Sequence, residues 1–68
     1  MKESVWNVAT YKKHTIETIM FIGSDTQHGP YWCVDGGRDF AFRSRKDARA
    51  YVSGERPRWP VVDLKRLS

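Results

Sequence analysis

Thr15-Ile16-Glu17-Thr18-Ile19-Met20-Phe21-Ile22 is the stretch on which the fold turns. Its β-branched and aromatic side chains suit a half-buried pleated surface, so a strand is the preferred reading. Ile16, Ile19 and Met20 also meet the i, i+3, i+4 spacing of a helix, which stays open as the competitor. Upstream, residues 5–11 alternate weakly and carry Val5, Trp6, Val8 and Tyr11, a first strand. Lys12, Lys13 and His14 form a polar break between the two.

Downstream, residues 23–30 read Gly-Ser-Asp-Thr-Gln-His-Gly-Pro, the chemistry of a surface loop. Strand character resumes over residues 31–34, Asp35-Gly36-Gly37 tolerates positive φ, and residues 38–43 alternate, which predicts a β-hairpin. Phe40 and Phe42 then share one face, toward the core, with Arg38 at the strand end.

Ser44 is placed to cap a helix through the amide of Lys46 or Asp47, and Asp47 three residues on supplies a weak form of the capping box. Ala48, Tyr51 and Val52 make an apolar stripe, while Arg45, Lys46 and Arg49 lie mostly elsewhere and Gly54 stands where a C-terminal cap belongs. A helix of about two and a half turns is not stable alone, so it must pack on the sheet. Arg56-Pro57-Arg58-Trp59-Pro60 is a stiff extended connection, because each proline biases its predecessor toward extended geometry. Residues 61–67 complete the sheet, with Val62 and Leu64 on one face and Val61, Asp63 and Lys65 on the other. The expected fold is α+β, a small antiparallel sheet packed by one short helix in the order β-β-β-β-α-β, one domain over residues 1–68 with no repeat.

Sixty-eight residues build only a small core. At 40% hydrophobic and 29% charged, with 13% aromatic residues, the chain is too apolar for a disordered tail. Cys33 is the single cysteine, so no internal disulfide and no cysteine-rich zinc site is expected, and a reduced, cytoplasmic setting is the default. The N-terminus lacks the pattern of a signal peptide, and the longest apolar run, residues 19–22, falls far short of the roughly 20 residues of a membrane span. No membrane association is expected.

Charge is distributed unevenly. Residues 1–37 hold three basic and four acidic side chains, and residues 38–68 hold nine basic and four acidic. With an isoelectric point near 9.6, the C-terminal half has the electrostatic footprint of a surface that meets phosphates or an acidic protein. The alternative is a merely solvated face that keeps the protein soluble. Arg45, Lys46 and Arg49 sit near the helix start, where the macrodipole disfavours positive charge by a few tenths of a kcal/mol each. That placement favours an anionic partner. Arg56 and Arg58 flank Pro57 and precede Trp59, a rigid display of residue types common at binding hot spots, although for Trp59 itself a lid on the open edge of the core is the slightly preferred reading. Arg43, Lys65 and Arg66 complete the candidate partner-binding set.

Tyr31, Trp32, Phe40 and Phe42 resemble a base-stacking platform, but packing is the stronger reading for Phe40 and Phe42, and no phosphate-loop or base-reading motif accompanies them. His14, His28 and Cys33 form no recognisable zinc spacing and no supported dyad. No catalytic role, metal or cofactor is expected, and Cys33 reads as a small buried hydrophobe.

The strand around Trp6, the Ser44-Arg45-Lys46-Asp47-Ala48 helix opening and the closing Val61-Val62-Asp63-Leu64-Lys65-Arg66 give a layout that resembles small phage-encoded proteins that bind and disable host machinery, above all the compact inhibitors of bacterial RNA polymerase. The resemblance implies a little sheet with one helix and a basic final strand that engages an acidic host surface, with Lys65 and Arg66 at the matching positions. The additional hairpin and the double-proline connection depart from that layout. Two partner classes follow: a host protein with an acidic surface, inhibited or redirected by docking, and alternatively DNA or RNA held by the same basic residues on phosphates. The edge of so small a sheet also makes a homodimer an expectation.

Overall fold

In the computed structural model, which describes residues 2–66, the deciding stretch is a strand. β1 (Lys2–Tyr11) turns back into β2 (His14–Ile22), and β3 (Gln27–Val34) follows, giving an antiparallel sheet in the order β1-β2-β3. β4 (Phe40–Ala41), the helix α1 (Arg45–Val52) and β5 (Val62–Asp63) come next, with β4 and β5 paired in a second, two-stranded sheet. A single 3₁₀ turn, Leu64–Arg66, follows β5. The fold is α+β, and the element order through β5 is the expected one.

One backbone bridge joins the two sheets. Trp32 and Phe42 exchange backbone hydrogen bonds of 3.0 and 2.8 Å beside the outer edge of β3. Residues directly opposite share a face, so this bridge puts Phe42 with Trp32 on one side and Ala41 on the other. Two small cores result. On one side Ile16, Phe42 and Ala48 are buried, with Tyr11, Trp32 and Val34 packed on them, which is where the helix docks. On the other, Ile19, Cys33, Ala41, Val62 and Leu64 are buried beneath Phe21 and Tyr31. Full burial of a side chain the size of Ile19 or Phe42 is worth about 1.5–3 kcal/mol.

β2 is therefore covered on both faces, and this explains its double reading. Ile16, Ile19 and Met20 are all buried although they point to alternate sides of a strand. Two irregularities shape the sheet. Val5 pairs with Ile19 and Asn7 with Thr18, so Trp6 is the extra residue of a bulge, and Val5 and Val8 land on the same face despite their odd spacing. Opposite Met20, β3 spends two residues, Gly29 and Pro30, joined by a cis peptide bond. At Gly29 (φ +123°) a Cβ would stand 3.1 Å from the Ile19 carbonyl oxygen and 3.2 Å from the Met20 sulfur, so only glycine fits.

β1 starts at Lys2 rather than Val5, His14 belongs to β2 rather than to the break, and the expected single sheet is divided in two, with β5 on β4. Three further boundaries differ from expectation. The loop predicted over residues 23–30 covers only 23–26, because a Gly-Pro pair is accommodated in a strand at a bulge. The strand predicted over residues 38–43 shrinks to Phe40–Ala41 plus the Phe42 bridge, and Arg38 turns its guanidinium to the main sheet instead. There it donates to both carboxylate oxygens of Glu3 at 2.8 and 3.2 Å and to Glu17 at 3.2 Å. Those carboxylates, Glu3 foremost, hold it firmly protonated. The strand predicted over residues 61–67 stops after Asp63, whose carboxylate accepts the Lys65 amide at 3.1 Å and bends the chain into the 3₁₀ turn. Val62 and Leu64 are buried as expected; Leu67 lies outside the described residues. No helix among the described residues is long and apolar enough to cross a membrane.

Candidate functional site

The helix start organises the basic surface. Ser44 is extended (φ −149°, ψ 157°), and its hydroxyl accepts the Asp47 amide at 3.1 Å, the expected cap. The reciprocal half of a capping box is replaced by a longer-range contact. The Asp47 carboxylate is buried and accepts the backbone amides of Arg58 and Trp59, each at 3.1 Å. A second tie runs from Arg43 Nε to the Pro60 carbonyl at 3.3 Å. Together they hold the proline-rich connection against the first turn of α1.

Every exposed side chain between residues 43 and 49 is basic: Arg43, Arg45, Lys46 and Arg49. Ser44, Asp47 and Ala48 turn inward or are half-buried, so the outward face of the first helical turns is entirely cationic. Arg56 and Arg58 are exposed on the latched connection, with Pro57 half-buried between them. Trp59 is 53% exposed, so its ring does not close the core; the Arg58 guanidinium lies over it, 5.4 Å from the centroid.

The far end of the helix adds a cation that sequence reasoning left out. Arg49 stacks over the Tyr11 ring at 5.3 Å, and Lys12 lies over the same ring at 5.5 Å while donating to Ser53 Oγ at 2.9 Å. Lys12 and Lys13 are the two central residues of the β1–β2 turn, with φ of +49° and +69°. Two-residue hairpin turns with φ positive at both positions favour Asn-Gly. Lysine at both positions costs about 1–2 kcal/mol per residue, and Lys12 places one more positive charge beside the helix. The adjacent lysines were the available signal, but the meeting of Lys12 with Ser53 joins segments 41 residues apart.

The structure does not gather Lys65 and Arg66 with this face. They follow β5, next to Leu64 in the other core, and lie near carboxylates: Lys65 Nζ is 3.6 Å from Asp39, and Arg66 Nε is 3.5 Å from Asp63. Phe42 is 1% exposed and acts as core, whereas Phe40 is exposed at 39%. His14 Nδ1 sits 2.7 Å from Asp35 Oδ2, and the Thr15 amide reaches Asp35 Oδ1 at 3.0 Å. That pair, the histidine first, holds the Asp35 carboxyl below its ordinary range. Cys33 is buried, and burial pushes its thiol up against the opposing pull of Arg38, so it is a poor nucleophile. Among the described residues no group of three or more His, Cys, Asp or Glu is placed to hold a metal ion.

The free edge of β1 carries exposed Val5, Trp6 and Val8. The Trp6 bulge divides that edge, a device that limits pairing with another strand. No protein-family model matches the chain, and no curated protein or solved structure matches it either.

Proposed function

We propose that this protein is a non-catalytic binding protein, a phage or mobile-element accessory factor that docks its cationic helix face on an acidic surface of a host protein and inhibits or redirects it. The observation that carries this reading is the unbroken basic character of the exposed residues from Arg43 to Arg49, extended by Lys12 at one end and by the latched Arg58 at the other. Cations at the helix start and in a strained turn both work against stability, which favours selection for a partner's charge over selection for the fold. The latch limits the freedom lost by Arg58 and Trp59 on binding.

The test is affinity capture from nuclease-treated bacterial lysate with the native protein and with Arg45→Glu/Arg49→Glu. A partner retained by the first and lost from the second supports the reading; a partner held equally by both overturns it.

A second reading, binding to DNA or RNA, is favoured by the exposed Trp59 ring beside Arg58, which suits a base over a phosphate. It requires quenching of tryptophan fluorescence by oligonucleotides at low salt that weakens by orders of magnitude near 0.2 M. Salt-insensitive quenching, or none, removes it. Pairing of β1 with a second copy is a further proposal, confined by the bulge to one half of the edge, and sedimentation over a concentration series decides it.

A further inference from the structure

Beside the 35–37 turn, between β4 and the helix, lies a cleft of about 200 Å³ whose chemistry is opposite to that of the basic face. Phe40, Phe42 and Tyr51 line it, and Asp35 and Asp39 supply its charge; no lysine, arginine or histidine is among its lining residues. Both carboxylates have basic partners outside the lining, His14 on Asp35 at 2.7 Å and Lys65 on Asp39 at 3.6 Å.

The rings brace one another. Phe40 meets Phe42 edge-on at 5.7 Å and Tyr51 at 5.9 Å, and Tyr51 meets Phe42 at 5.1 Å. Phe42 is fully buried, so it anchors the other two, and the aromatic surface is formed before anything binds. Phe40 and Tyr51 nevertheless leave much of their area open, an arrangement the small core does not require. Ring faces carry the negative end of the aromatic quadrupole, and carboxylates beside them reinforce it, so the occupant they select is a cation that tolerates partial desolvation.

Size narrows the choice. Sites for drug-sized ligands occupy roughly 300–1,000 Å³, so the cleft suits a single side chain. A guanidinium is planar, weakly hydrated, stacks on rings and forks onto a carboxylate, whereas an ammonium is a compact and strongly hydrated point charge. Asp35 already serves His14 and the Thr15 amide. Asp39 is largely exposed, and its ion pair with Lys65 is long, at 3.6 Å, so this carboxylate is open to a better-fitting partner.

We propose that the cleft receives an arginine side chain of a partner protein, stacked against Phe40 and Tyr51 and paired with Asp39. The proposal is independent of the cationic face and gives the protein a second contact of opposite charge.

The experiment is a ¹⁵N–¹H titration of the full chain with N-acetyl-arginine amide, with the lysine and norleucine amides as controls. The expected result is saturable shifts confined to residues 34–42 and Tyr51 at millimolar concentration, a binding energy of about 4 kcal/mol. Asp39→Asn weakens binding about fivefold, the loss of roughly one exposed ion pair, and Phe40→Ser abolishes it while the amide spectrum stays dispersed. Shifts that do not saturate, binding of norleucine amide or lysine amide as tight as that of arginine amide, or unchanged affinity in both variants overturns the proposal.

Discussion

Asp47 holds Trp59 by the backbone: the buried carboxylate of the third helical residue accepts the Trp59 amide at 3.1 Å, twelve residues along the chain. It accepts the Arg58 amide with its other oxygen, so one side chain fixes the return of the C-terminal segment. Asp47→Ala leaves two amides without their acceptor and is expected to cost about 2–3 kcal/mol, read from the urea midpoint. The same variant should lower the fluorescence anisotropy of a protein in which Trp59 is the only remaining tryptophan. An unchanged midpoint would show that the latch is dispensable.

The β1–β2 turn sets conformation against charge. Replacing Lys12 by Asn and Lys13 by Gly relieves two positive-φ side chains and is expected to stabilise the protein by about 1 kcal/mol or more. The substitution also removes Lys12, whose ammonium shares the Tyr11 ring with Arg49. Higher thermal stability together with weaker retention on a heparin column is the expected pair of outcomes; weaker retention without a gain in stability would place the lysines' cost elsewhere.

Thr18 Oγ1 and Trp32 Nε1 are buried without hydrogen-bond partners, and the two residues are cross-strand neighbours. Thr18→Val keeps the shape and removes an unsatisfied hydroxyl, so a gain of about 1 kcal/mol is expected in chemical denaturation. A loss of that size would mean that the hydroxyl has a bound water worth keeping.

The Asp35–His14 contact makes stability depend on acidity. The Asp35 carboxyl is held below its ordinary value, chiefly by His14, so the native state favours the ionised form more than the unfolded chain does. Its contribution is present above the ordinary carboxylate range, near pH 4, and is lost as pH falls through the lowered native value. The denaturation midpoints of the native protein and of Asp35→Asn should therefore converge on acidification from about pH 5 to pH 2. A constant separation would assign the difference to something other than ionisation.

The helix was legible because its signals are local: Ser44, the apolar Ala48 and Gly54 all act within a few residues of where they stand, and Gly54 indeed adopts a φ of +79°. The deciding strand was ambiguous for a non-local reason. Coverage of both faces fills the alternate positions Ile16, Ile19 and Met20 with apolar side chains, which imitates a helical spacing. The basic surface was visible as composition, but its division was not, since Lys65 and Arg66 are separated from the helix by the sheet's two-sided packing. Trp59 and Lys12 depended on contacts with Asp47 and Ser53 that no spacing encodes.

β2 is paired along both edges and buried toward both cores. Its amides cannot reach solvent by fraying of an end or by release of the helix alone. Exchange with deuterium at Thr18 and Ile19 should therefore proceed only through global opening and report the full unfolding free energy, whereas the bulged edge at Trp6 exchanges through small local excursions. The strand that was hardest to read is, on this account, the last part of the molecule to come apart.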